Sequence, residues 1–293
     1  MAETDLFSLL VGPFAEFSFM RRALAGCLIL SLSAAPVGVF LMLRRMSLIG
    51  DAMAHAILPG AAVGFMVAGL SVGAMTLGGL LAGCLVAVLS GLVARITVTG
   101  EDSSMAAFYL ISLALGVLII SVNGSNVDLL HVLFGAPLAL DDVALQLLAL
   151  ISAITITVML VLYRPLILEC VDPEFFRSVS GLSALTHFSF LGLVVLNLVA
   201  GFHALGTMMA VGLMILPGAT ARYWVKRLES LLLLAIALSA LASVIGLLGS
   251  YYVNWPTSPL IILSLGVFYL VSLLFGKEGG VLMRSISFKH LES

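Results

Sequence analysis

The segment LRRMSLIGDAMAHAILPG, residues 43–60, gathers the groups most capable of chemistry in an otherwise apolar chain. Asp51 and His55 are four residues apart, so a helix sets a carboxylate and an imidazole on one face. A carboxylate near mid-bilayer costs about 2.5–3.5 kcal/mol on insertion scales, so it has to face protein or water. Pro59 has no N–H for the carbonyl of His55, which frees that oxygen on the same stretch of helix. Gly50 and Gly60 flank the segment and let another backbone approach. One carboxylate, one imidazole and one carbonyl make half a coordination sphere. A two-fold dimer supplies the other half, and mixed N/O sites of this kind suit zinc, manganese or iron(II). A plainer reading stands beside it: Asp51 caps the second helix near the interface, and His55 bonds a neighbouring backbone. Spacing alone leaves both open.

The elements that position this pair are membrane helices. The chain has 293 residues, 62% of them hydrophobic and 10% charged, with a mean hydropathy of +1.23. A soluble domain carries about 25% charged residues. The composition excludes an ordinary soluble enzyme, a disordered chain and a nucleic-acid binder. It implies an all-α polytopic membrane protein whose environment is lipid. Apolar runs of bilayer length fall near 22–43, 53–70, 72–93, 105–122, 142–163, 184–200, 205–222, 231–251 and 258–275, giving eight or nine transmembrane helices. Residues 1–19 read as an interfacial segment, 20–276 as the membrane domain and 277–293 as a cytoplasmic tail. The acidic start, with no Lys or Arg before Arg21, does not read as a cleavable signal peptide. With nine spans, Arg44, Arg45, Arg95, Arg164, Arg177, Arg222, Lys226, Arg227, Lys277, Arg284 and Lys289 share one side. The positive-inside rule makes that side the cytoplasm. Gly60-x-x-x-Gly64 and Gly79-x-x-x-Gly83 offer small-residue faces for helix packing.

A second signal is LECVDPEFFRSVSGLS, residues 168–183. Asp172 is a good N-cap, Pro173 fits the first helical position and Glu174 suits the helix N-terminus. Gly181 can end the helix. The pattern predicts a short helix at 173–180 with Phe175, Phe176 and Val179 as an apolar ridge and Arg177 beside it. It suits either docking into a partner's groove or lying on the membrane. A third is GTMMAVGLMILPGATAR, residues 206–222, where Pro217 weakens a helix as Pro59 does. Among the other histidines, His131, three residues after Asp128, and His203 fall on the outer side as possible metal contacts. His187 suits an interfacial hydrogen bond and His290 a solvated tail. Cys27, Cys84 and Cys170 read as packing residues. No G-x-x-x-x-G-K-[ST] occurs, so the chain binds no ATP through a P-loop.

LRRMSLIGDAMAHAILPG, VDLLHVLFG, VDPEFFRSVSG and LMILPGATAR follow one another in this order. Together they resemble the membrane permease of the metal-type ABC importers, over about residues 20–275. The resemblance implies a homodimeric permease of the large-importer type in the bacterial inner membrane. It implies one cytoplasmic ATP-binding subunit per copy and an extracytoplasmic metal-binding protein that delivers the ion. It maps the metal path onto Asp51 and His55 and the ATPase-coupling helix onto Asp172 to Gly181. His131 and His203 depart from the family pattern and put the metal's identity in doubt. The chain is then a translocation subunit without enzymatic activity of its own. It holds no permanent cofactor, and zinc or manganese is its cargo. Two rivals remain: a permease for a chelated ligand such as a siderophore or cobalamin, and a proton-driven secondary transporter. The second needs more buried acids than this chain offers in its central spans.

Overall fold

A computed structural model describes residues 6–69, 71–97, 101–122 and 137–282. Among them the regular elements are all helical. They are α1 (Leu6–Glu16), α2 (Ser18–Leu43), α3 (Ser47–Ala56), α4 (Leu58–Ala68), α5 (Val72–Ile96), α6 (Glu101–Val122), a single 3-10 turn at Pro137–Ala139, and α7 (Asp142–Val161). Then follow α8 (Tyr163–Val171), α9 (Pro173–Val179), α10 (Leu182–Leu205), α11 (Thr207–Ala221), α12 (Leu228–Val253) and α13 (Thr257–Phe275). Eight described stretches are long and apolar enough to cross a bilayer, with α3 and α4 forming one of them.

The shorter α11 also links the two ends of the bundle. Gly206, at φ 92°, turns the chain directly out of α10. Ser258, at the start of α13, donates to the Leu205 carbonyl at 3.2 Å. At the far end the Glu278 N–H, beyond α13, donates to the Tyr223 carbonyl at 2.9 Å. The Trp224 indole donates to Ser272 at 2.7 Å, and Lys226 pairs with Glu278. Thus α11 starts beside one end of α13 and finishes beside the other. Its 15 residues rise only roughly 22 Å, less than the hydrocarbon thickness. The described chain therefore runs between the two ends of the bundle nine times, eight of them in stretches of membrane-spanning length. Arg44, Arg45, Arg164, Arg177, Arg222, Lys226, Arg227 and Lys277 fall at one end, and Arg21 and Arg22 at the other.

Helix α2 is the hub. Two thirds of its apolar window is buried (67%), against 22% for α6 and α13. Gly38 touches α11 so closely that a Cβ there would lie 1.6 Å from the Met214 carbonyl oxygen. Short polar side chains tie it sideways. Ser33 bonds Ser152 of α7 at 2.9 Å, and Ser239 of α12 donates to Ser31 at 2.7 Å. Asn197 of α10 donates to Thr155 of α7 at 2.9 Å. Such bonds are worth about 0.6 kcal/mol each in membrane bundles, so shape fit dominates and the bonds set register.

The break between α3 and α4 falls at Ile57, two residues before Pro59. Helix α4 then lies backbone against backbone on α5. A Cβ at Gly60 would meet the Gly78 carbonyl oxygen at 2.0 Å, and one at Gly64 the Ala74 oxygen at 2.4 Å. Gly79 and Gly83 instead receive the side chains of Ile57 and, at Gly83, Val195. Both small-residue faces are used, each by a different neighbour. Gly60→Leu has no room beside Gly78. Overpacking of this kind costs about 1–3 kcal/mol or more, so the variant's thermal transition in detergent is expected to fall well below that of a Gly73→Ala control, where nothing lies within 4 Å.

Candidate functional site

The turn out of α2 fixes where α3 starts. The Met46 N–H donates to the Leu41 carbonyl at 2.9 Å and the Arg45 N–H to Met42 at 3.0 Å. This is the paired closure that a left-handed glycine usually allows. Here Arg45 takes that conformation, at φ 59°, at a cost of about 1–2 kcal/mol for a residue with a Cβ. Beyond it α3 buries Ile49, Gly50, Met53 and Ala54, with Gly50 against Met214 and Ile215 of α11. The opposite face carries Asp51 and His55. Their side chains are 66% and 32% exposed, with Asp51 Oδ1 4.0 Å from His55 Nε2. Two ligands of one tetrahedral zinc lie roughly 3.4 Å apart, so a small rotamer change lets both hold one ion. Groups of three or more His, Cys, Asp or Glu suited to a metal are absent among the described residues. The pair lies on a face that lipid cannot cover cheaply.

The helix break shapes the same face. Ser112 of α6 donates to the Ala56 carbonyl at 2.9 Å, and the Ile57 N–H points back at the carbonyls of Met53 and His55. Asp51 opens on a cavity of about 220 Å³ with Asp102, Met105 and Tyr109 of α6. Asp102 also lines a second cavity, about 690 Å³, with Arg44, Arg45, Glu169, Cys170, Pro173 and Arg177. Burial pushes the Cys170 thiol up to about 11, so it keeps its proton and is a poor soft-metal ligand.

Helix α9 is capped as its sequence demands. The Asp172 carboxylate accepts from the Phe175 N–H at 2.9 Å, Pro173 is the first residue and Glu174 lies in the first turn. The apolar ridge divides, because adjacent residues on a helix point about 100° apart. Phe176 turns inward and is 5% exposed, while Phe175 and Val179, four apart, stay outward at 56% and 68%. The helix ends at Val179, with Ser180 extended. Gly181 is right-handed at φ −65° and precedes α10. It starts the next helix; it does not cap α9 in a left-handed turn. Pro217 lies inside α11, which runs unbroken past it to Ala221.

Asp128, His131 and His290 lie outside the described residues, and His203 falls in the last turn of α10. Sequence reasoning missed a buried polar cluster. The Arg44 guanidinium pairs with Glu169 at 3.6 Å, both side chains nearly sealed. It meets His187 Nδ1 at 2.6 Å and lies over the Phe190 ring, 5.0 Å from its centre. Ser183 donates to the other Glu169 oxygen at 3.1 Å. Glu169 inside the apolar run LILEC was the available signal.

Residues 16–276 match the ABC 3 transport family. The manganese import system permease protein ScaB of Streptococcus parasanguinis is 34% identical over 257 residues, 88% of this chain and 90% of that protein. The chelated iron transport system membrane protein YfeD of Yersinia pestis is 29% identical over 270 residues, 92% of this chain and 89% of its own. Among solved structures, PsaBC from Streptococcus pneumoniae in complex with Fab superposes with a TM-score of 0.83 at 28% identity. The match covers 97% of this chain and all of that one.

The divided ridge makes a direct prediction. Phe176→Ala opens a cavity and is expected to cost about 3–5 kcal/mol, whereas Phe175→Ala is expected to stay within about 0.5 kcal/mol. Thermal unfolding of the two purified variants measures the difference.

Proposed function

Because the chain belongs to the ABC 3 transport family, we propose that it moves manganese into the cell, through a path lined by Asp51 and His55 at the interface of two copies. It is a multi-pass inner-membrane translocation subunit of a metal importer. The observation that carries the reading is the exposed Asp51–His55 pair on α3. One protomer offers two hard or borderline ligands, and a second copy across a two-fold axis doubles them to two carboxylates and two imidazoles. That O/N set suits manganese or iron(II) and contains no thiolate. The names of the relatives favour manganese over zinc. A transit site must also release its ion, and a site of few ligands, half supplied by each copy, opens when the copies separate.

Energy comes from a separate ATP-binding subunit. Helix α9 is its docking element, with Phe175 and Val179 as the outward apolar contacts and Arg177 and Glu174 at the rim. A metal-binding protein loads the opposite face, where Asp128, His131 and His203 offer further ligands. Iron is the second reading, supported by the Yersinia pestis relative.

Uptake into proteoliposomes holding the full complex tests this. ATP-dependent manganese uptake is expected, with iron(II) weaker and zinc weaker still. It should fall at least roughly tenfold in Asp51→Ala and His55→Ala, since even losing a partner behind a metal ligand costs about 10–100-fold. Uptake unchanged in both variants sinks the path. Phe175→Asp with Val179→Asp is expected to leave the permease folded and release the ATP-binding subunit on size exclusion.

A further inference from the structure

The buried cluster ties both flanks of the docking helix to the turn that launches the metal-ligand helix. Glu169 lies in α8, three residues before the Asp172 cap of α9. Ser183 and His187 lie in the first two turns of α10, just after α9. Helix α9 packs against α8 and α10. All three polar groups converge on Arg44, directly or through Glu169. Arg44 ends α2, three residues before α3 begins. On its other side, between that turn and α9, lies the cavity of about 690 Å³.

We propose that Arg44, Glu169 and His187 are the linkage through which movement of α9 reaches Asp51 and His55. They are positioning residues and do not touch the ion. The inference rests on the reading of α9 as the ATPase-docking helix. Across the cavity, packing alone carries little displacement. The charge-assisted bonds are directional, and they are sealed from water, with Glu169 and His187 each 2% exposed. A guanidinium only donates, so His187 accepts through Nδ1. Arg44 is thereby held toward α10 as well as α8. When α8 and α10 shift with α9, the guanidinium follows. Arg45, held in its left-handed turn, passes the shift to Ser47 and α3.

The test measures manganese taken up per ATP hydrolysed in proteoliposomes holding the permease with its ATP-binding subunit. Arg44→Met with Glu169→Met removes the pair without stranding a charge, a replacement that buried pairs tolerate. ATPase binding and ATP hydrolysis are expected to persist while uptake per ATP falls roughly tenfold, within the usual range of coupling between sites. His187→Leu is expected to lower the same ratio, and His187→Asn, which keeps an acceptor, to restore most of it. A merely structural role predicts lost assembly or lost hydrolysis with the ratio intact. Uptake per ATP at the wild-type level in the double variant overturns the proposal. If the double variant does not assemble, a wild-type ratio in His187→Leu overturns it instead. A wild-type complex that moves no manganese, iron(II) or zinc overturns the functional reading, and the linkage with it.

Discussion

Charge inside a bilayer has to be paired, hydrated or absent, and that constraint organises this molecule. Among the described residues the long spans keep their charges to the ends, and two groups of charge are handled in opposite ways. Arg44 and Glu169 are sealed inside the protein and answer one another, with His187 and Ser183 taking the remaining bonds. Asp51 is left open on the side of α3, with His55 as its near neighbour. The first arrangement is complete within one chain. The second is exposed, and nothing within the described chain seals it.

Around these groups the bundle is held by close approach. Hydrocarbon gives no hydrophobic drive between helices, so contact area and shape decide. Gly38 against α11 and Gly60 against Gly78 bring backbones together where any side chain would intrude. The hydroxyl bonds of Ser31, Ser33 and Thr155 then fix which helix meets which. The result seats α3 between α11, through Gly50, and α6, through Ala56 and Ser112. Its buried face is pinned while the face with Asp51 and His55 stays clear.

Much of this was legible in the sequence. Apolar runs located most spans to within a few residues, though the run expected near 53–70 begins at Ser47, and the i, i+4 spacing of Asp51 and His55 placed them on one face. The Asp-Pro-Glu start of α9 wrote out its own cap. Other features depended on the fold. Helix α8, YRPLILECV, is not among the elements expected from the sequence, lying between the span expected near 142–163 and the short helix expected at 173–180. Its acid is affordable only because Arg44 arrives from another helix. Arg44 itself read as a marker of the basic side, since sequence does not distinguish an arginine in water from one folded under Phe190. The inward turn of Phe176 is a matter of one residue of register on a helix too short to show a period.

The one-residue joint at Gly206 has a mechanical meaning. Helix α10 is an unbroken rod of 24 residues, roughly 36 Å long. Its basic end holds Ser183 and His187, and its far end meets α11 with no loop to absorb slack. A tilt of about 5° at one end of such a rod carries the other about 3 Å. That end is also where Ser258 grips the Leu205 carbonyl. A disturbance on one side of the bilayer therefore arrives on the opposite side as displacement, with the lever already built into the chain.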